Sequence, residues 1–532
     1  MDNYRQPRRP VQRQTIDGFV HRTGRTRDGE QLQPISETVT PVAPTPVEPP
    51  HIPAQLGSTA LSIGRSLPPI SLDLDTVPAA KHKPIGHHPW RTFRKWSFRA
   101  VAALLILTIG LGGLLFSQGY LKLHKVFKGT ATSAAALQKN VDPTLLKGEG
   151  DGRVNILLLG IGGGTHDAPD LTDTIMIASI DPVNNTAVLL SVPRDLWVTI
   201  PQHGSMKINA AYETGKYRYL GHIDNSNANY QAVQAGFSMI DQTIESVVGV
   251  PIHYNMLVNF QAFKQGVDSV NGITVNVPEE LYDPTMAWEN NWNPVLAKVG
   301  VQQMNGTQAL LYVRSRETSS DFARGQRQRT VIVALKDKIL TLGTLSNPLK
   351  ISQLMGAFGN NVVTDISLSD AVRMYNLTKD IDNAQIQSVD LVTPPNSLVT
   401  TGNMNGISID EPRAGLGVYN AIQAFTRITL KDGYITKENA QITVLNGTTL
   451  PGVGTEKANE LKSYGYNVTK VDNAPTSTYD KTVIVDLTNG VDKYTRHYLE
   501  NRYGVKAVTT IPDKTIVPGS ANFIIILGND QT

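Results

Sequence analysis

A set of arginines and aspartates stands where a structural protein would have little use for them: Asp173, the Arg194-Asp195 pair, Arg314 and Arg316, and Asp321, Arg324 and Arg327. Several occupy stripes whose other members are apolar. Arginine offers phosphate oxygens a planar fork of donors, and aspartate holds the divalent ion that accompanies a pyrophosphate. We read these residues as one anion site.

The elements that would position them can be read from spacing. In DFARGQRQRTVIVALKDKIL, Arg324, Arg327 and Gln328 stand at i, i+3 and i+4 of a helix, and the same stripe continues through Val331 and Leu335. Two cations in a first helical turn face the positive end of the helix dipole, which a bound phosphate would offset. The alternative is a basic turn at the surface. Upstream, ALLYVRSRE alternates with period two and reads as a strand, with Leu310, Tyr312, Arg314 and Arg316 on one face. TIMIASI and AVLLSV read as a hairpin closed by DPVNN, which brings Asp173, before the first strand, beside Arg194-Asp195, after the second. The glycine run at 160–164, GIGGG, lacks the lysine and hydroxyl residue of a phosphate-binding P-loop and reads as a turn passing close to the site.

These motifs carry a resemblance. From Asn155 to about Leu340 the order NILLLGIG, TDTIMIASID, SVPRDLWV, KINAAY, VNFQAFKQGVDSVNGITVNVP, MNGTQALLYVRSRE and DFARGQRQR resembles the catalytic domain of the LytR-CpsA-Psr family of cell-wall glycopolymer transferases. The resemblance implies an α/β/α catalytic domain around a mixed central sheet. It also implies an enzyme that moves a phosphoglycan from undecaprenyl pyrophosphate to a peptidoglycan hydroxyl. By position, Asp173 and Asp195 would hold Mg²⁺, Arg194, Arg314, Arg316, Arg324 and Arg327 would grip the pyrophosphate, and Gln328 would hydrogen-bond beside them. Asp321 would orient Arg324 or take the acceptor proton. The chain departs from the family pattern at Leu171, where an arginine is frequent, and at Arg329, in place of a glutamine. A carrier lipid also needs apolar walls, and the amphipathic run Tyr230 to Val248 could supply one or could be an ordinary core helix.

The rest of the chain sets the frame. It has 532 residues, a net charge of +3 and no cysteine, so several domains are expected, disulfides are excluded and nothing argues for nucleic acid as a partner. Residues 1–95, rich in proline, arginine and polar side chains, read as a disordered tail. Residues 98–120 are apolar over the length of a membrane span. Lys81, Lys83, Arg91, Arg94, Lys95 and Arg99 outnumber Lys122, Lys125 and Lys128, which keeps the tail in the cytoplasm and the rest outside. A stalk over 121–150, a catalytic domain over 151–432 with its core at 155–340, and an α/β module over 438–530 follow, the last resembling the C-terminal domain of LytR-type proteins. In that module His497 and Asp486 read as isolated, and binding to wall glycan or a partner is the expected use. Two other activities fit the same arginines: a non-enzymatic receptor for a lipid-linked glycan, and a polyprenyl-pyrophosphate pyrophosphatase in which water replaces the sugar hydroxyl.

Overall fold

The computed structural model describes residues 129–532 apart from 130, 139–140, 222–227, 317–320, 342–360 and 478. The tail and the span expected at 98–120 lie outside these residues, and among the described helices none is long and apolar enough to cross a membrane.

The catalytic region is built on a mixed six-stranded sheet. Its centre is β1 (Val154–Ile161), flanked by β2 (Thr172–Asp181) and then β3 (Thr186–Ser191); the strand Tyr254–Asn259 lies on the other side of β1, and Val362–Thr364 and Ile386–Asp390 form the edges. β1 runs antiparallel to β2 and parallel to Tyr254–Asn259. Alternation along the strands divides the side chains between two cores. Leu157, Leu159, Ile175, Ile177 and Leu190 meet Tyr212, Phe237, Ile240, Ile244 and Ile422 from helices on one face. Val154, Ile156, Ile180 and Tyr254 meet Ala136, Leu137, Ile366 and Met374 on the other. The apolar stripe of the helix Ala228–Val248 is thus spent on the core, with Phe237, Ile240, Ile244 and Val247 buried and Val233 packed against them.

The hairpin expected from DPVNN is present: β2 and β3 pair from Met176 with Ser191 to Asp181 with Thr186. Asp181 sets the turn by accepting from the Val183 and Asn184 N–H groups. The strand expected over ALLYVRSRE is not. Gly306–Arg314 is a helix, opened by a capping box in which Asn305 accepts from Gln308 N–H and the Gln308 side chain accepts from Asn305 N–H. Nine residues of alternating polarity were compatible with either period, and the cap decides for the helix.

A separate four-stranded sheet carries the C-terminal region, in the order Asn467–Asn473, Gln441–Asn446, Phe523–Leu527, Val483–Asp486, with helices Val453–Ser463 and Lys493–Tyr503. The described part of the 121–150 segment is built into both regions: Ala134, Ala136 and Leu137 join the catalytic core, and Val141 and Leu146 join the C-terminal one. His497, expected to be isolated, meets the Leu146 carbonyl at 2.8 Å, and Tyr494 donates to the Val141 carbonyl. Asp486 is no more isolated: its carboxylate accepts from the Thr488 N–H and hydroxyl. Asp432, fully enclosed, gathers Gly150 N–H, Gly152 N–H and the Tyr498 hydroxyl on one carboxylate oxygen.

Candidate active site

The site lies where β1 ends, β2 begins and the chain leaves β3. Gly160 belongs to β1, and a Cβ there would stand 2.9 Å from the Thr174 Cβ; Gly163, with φ of 67°, would put one 2.7 Å from the Asn259 Cβ. The glycine run therefore lets neighbouring chain segments close in, as expected of a turn passing close to the site.

Antiparallel pairing puts Asp173, near the start of β2, beside the loop that follows β3. Arg194 Nη1 donates to Asp173 Oδ1 at 2.5 Å, and Arg194 Nε stands 3.4 Å from Asp195 Oδ2. This arginine, only 6% exposed, links the two carboxylates read as metal ligands. Lys207 Nζ donates to Asp195 Oδ1 at 2.6 Å, and Arg316 Nη2 is 3.9 Å from Asp195 Oδ2. Asp195 is further fixed through its carbonyl, which accepts from Asp410 N–H of the hairpin Val399–Pro412. Three cations thus converge on two acids, an excess of positive charge suited to a phosphate-bearing ligand.

The helix Asp321–Thr341 supplies the other face. Arg324 and Arg327 are each 8% exposed, which removes the surface-turn alternative, and Val331 lies in the core below them. Their roles differ. Arg327 spends Nε on the Tyr312 carbonyl at 2.8 Å and Nη2 on the Ser315 carbonyl at 2.5 Å, closing the end of the preceding helix. Burial pulls its pKa below the ordinary arginine value, with Tyr312, Asp283 and Glu279 working the other way. Gln328 donates to Thr174 Oγ1 at 2.9 Å, tying the helix to β2 next to Asp173. Arg329 donates to Ser191 Oγ at the end of β3 and lies 3.9 Å from Asp390. Asp321 begins this helix, and its side chain lies outside the described residues.

Because the ALLYVRSRE segment is a helix, Arg314 and Arg316 do not share a strand face. Arg316 is carried past the helix end towards Asp195. Arg314 donates to Glu289 Oε2 at 2.7 Å, with its guanidinium 4.6 Å from the centre of the Phe260 ring. The turn between them is held by Asp283, which accepts from Ser315 Oγ at 2.7 Å and Arg316 N–H at 3.2 Å. Lys207, Asp283 and Glu289 were not singled out from the sequence. Lys207 could have been, since it opens the KINAAY motif, whereas the other two sit in a stretch without periodicity.

The LytR_cpsA_psr family matches residues 119–414. A second family, described as LytR cell envelope-related transcriptional attenuator, matches residues 439–530. The polyisoprenyl-teichoic acid–peptidoglycan teichoic acid transferase TagU of Oceanobacillus iheyensis is 31% identical over 283 residues, 52% of this chain and 78% of the relative. The cell wall biosynthesis protein LcpA of Corynebacterium glutamicum is 25% identical over 462 residues, 78% of this chain and 82% of the relative. Among solved structures, TagT bound to LI-WTA is 24% identical, covers 58% of this chain and 98% of its own, and superposes with a TM-score of 0.42.

Proposed function

We propose that this chain, which belongs to the LytR-CpsA-Psr family, transfers a glycopolymer from a polyprenyl-pyrophosphate carrier to a peptidoglycan hydroxyl, leaving a phosphodiester link. The observation that carries the reading is Arg194, buried between Asp173 and Asp195, with Arg316 reaching the same Asp195 carboxylate. The names of the relatives support the substrate class.

In the reaction, the acceptor oxygen forms a bond to the phosphorus nearer the glycan, the bond from that phosphorus to the bridging oxygen breaks, and polyprenyl monophosphate departs. The acceptor proton passes to a carboxylate, for which Asp321 is our candidate. Arg194, Arg316 and Arg324 act on charge that grows on the non-bridging and leaving oxygens, the dominant form of catalysis in phosphoryl transfer. Arg327 acts at one remove, by holding the turn that carries Arg316.

Mg²⁺ commonly takes one or two protein carboxylates and completes its shell with water and substrate phosphates. Asp173 and Asp195, now bridged by Arg194, are the carboxylates that would hold such an ion, whereas among the described residues no group of three or more His, Cys, Asp or Glu is gathered that could hold one alone. Bound there with the substrate, Mg²⁺ would neutralise phosphate charge. The test is purified full-length chain with glycan-linked polyprenyl pyrophosphate and peptidoglycan, with and without Mg²⁺, followed by Asp173→Asn. The expected outcome is transfer that chelation stops, and a higher Mg²⁺ requirement both for pyrophosphate affinity and for transfer in the variant. Transfer and affinity indifferent to the metal would remove Mg²⁺ from the account. Release of free glycan phosphate alone would favour the pyrophosphatase reading, and binding without any product the receptor reading.

A further inference from the structure

Beside Arg314 lies a surface that the transfer chemistry does not use. Between Pro278 and Ala297 the chain exposes Trp292 at 81% and Trp288 at 55%, with Tyr282 close to half exposed. Large aromatic side chains exposed together within one segment, unlike single scattered apolar residues, mark surfaces at which ligands or partners are held.

The loop holds Trp292 outward by construction. Trp292 N–H donates to the Ala287 carbonyl at 2.8 Å, and Asn293 N–H to the Asn290 carbonyl at 2.9 Å. The Asn290 amide spans the loop to the carbonyls of Asn293 and Val295. Asn291 and Trp292 adopt consecutive left-handed conformations, with φ of 52° and 61°. Asparagine tolerates that region, but tryptophan rarely enters it. Strain of this kind persists where surrounding contacts enforce it, and such contacts gather at functional surfaces.

The loop is also fastened to the arginine turn. Glu289, between the two tryptophans, receives Arg314, and Asp283, which caps the short helix Pro284–Asn290 that carries Glu289, receives Ser315 and the Arg316 N–H. Charge narrows the ligand. Of the acids between Pro278 and Ala297, Asp283 is buried and Glu289 is paired with Arg314, which leaves Glu279 and Glu280 as the exposed charges of the segment, with Lys298 just after it. Two exposed glutamates beside a protruding indole favour a neutral ligand over a phosphate-rich polymer or an anionic bilayer, and the apolar C–H face of a neutral pyranose ring stacks on an indole.

We infer that Trp292 is the platform on which the acceptor saccharide strand lies, on the segment that Glu289 and Asp283 fasten to the turn carrying Arg314 and Arg316. This rests on the transferase reading for the word acceptor, but not for saccharide binding itself. The test uses the full chain in detergent and a β-1,4-linked N-acetylglucosamine oligosaccharide as probe, with binding followed by calorimetry. Trp292→Ala is expected to weaken binding by about tenfold or more, as for an aromatic anchor, and Trp292→Tyr to restore most of it. Affinity for polyprenyl pyrophosphate should be unchanged in both variants. Oligosaccharide binding equal in wild type and Trp292→Ala, or absent from wild type, overturns the inference. So does quenching by brominated phosphatidylglycerol, in reconstituted vesicles, of the fluorescence that Trp292→Phe removes, because it would place this indole in the membrane. Tryptophan-dependent saccharide binding without glycopolymer transfer would uphold the saccharide platform and sink only the transferase reading.

Discussion

Arg194 and Arg327 carry the same charge and do different work. Arg194 stands between two carboxylates, one of them a third exposed, so its guanidinium belongs to a surface a ligand can reach. Arg327 is committed to two backbone carbonyls and is a positioning residue. Arg327→Ala should therefore lower the melting temperature as well as transfer, since two buried acceptors lose their donors at a cost of about 2–4 kcal/mol. Arg327→Lys should recover little, because an ammonium cannot span the Tyr312 and Ser315 carbonyls as the fork does. Thermal melts of the two variants check this. An Arg327→Ala protein as stable as wild type would return Arg327 to the pyrophosphate. The sequence made Arg327 visible as a charge on an apolar stripe and Arg194 by its count from the hairpin turn, but not this division of labour, which depends on where the preceding helix ends.

Elements were legible to the extent that their signals were local. The hairpin that brings Asp173 to Arg194 could be counted out from its turn, and its register agrees. The segment ALLYVRSRE was misread because alternation was weighed over its nine residues while the cap signal, Asn305 and Gln308 three apart, lay just upstream. Glu289 and Asp283 escaped because their partners lie 25 and 32 residues away in sequence. One junction between elements yields a pH dependence. Where the helix Ala228–Val248 meets the strand Tyr254–Asn259, the Asn255 amide donates to both Asp241 and Asp365. Burial pushes Asp241 up to about 8, the Asn255 bond works against this, and Asp365 and Glu245 add to it. Asp241 Oδ1 and Asn255 Oδ1 are buried acceptors without a partner among the described residues, so a proton on Asp241 supplies a donor that the junction lacks. A folded-state value above the unfolded one means that the native state holds the proton longer. The contribution of Asp241 to stability is then greatest below about pH 4 and is lost as pH rises towards 8. Asp241→Asn removes the titration, so its stability relative to wild type should rise across that window, by up to roughly 5–6 kcal/mol, and level off above it. Denaturant midpoints at a series of pH values measure this; a constant difference would show that Asp241 is ionised in the native state throughout.

For the whole molecule, the segment after the expected span enters both cores, and the C-terminal region grips it through His497 and Tyr494. The C-terminal sheet was legible from its four strand runs, whereas this grip was not, because the gripping residues lie roughly 350 positions from what they hold. We propose that residues 98–120 span the membrane once with the N-terminus in the cytoplasm, on the excess of basic residues before the span. A chain without cysteine allows a clean test, since one introduced thiol is the only one present. With Ser58→Cys and Ser388→Cys made separately, an impermeant maleimide on intact cells is expected to label only the second; labelling of the first alone would invert the topology and put the arginine site on the wrong side for the cell wall.

The central claim is that buried Arg194 and its two aspartates form a centre for transfer, beyond binding the carrier. The most direct measurement is the fate of the phosphorus nearer the glycan, labelled in the carrier and followed with peptidoglycan present, in wild type and Arg194→Ala. Wild type is expected to place the label in a phosphodiester on the acceptor, one for each polyprenyl monophosphate released. Arg194→Ala is expected to lose at least about a hundredfold in that rate while keeping part of its affinity for the carrier. Transfer undiminished in Arg194→Ala, or label that never reaches the acceptor in wild type, would contradict the account.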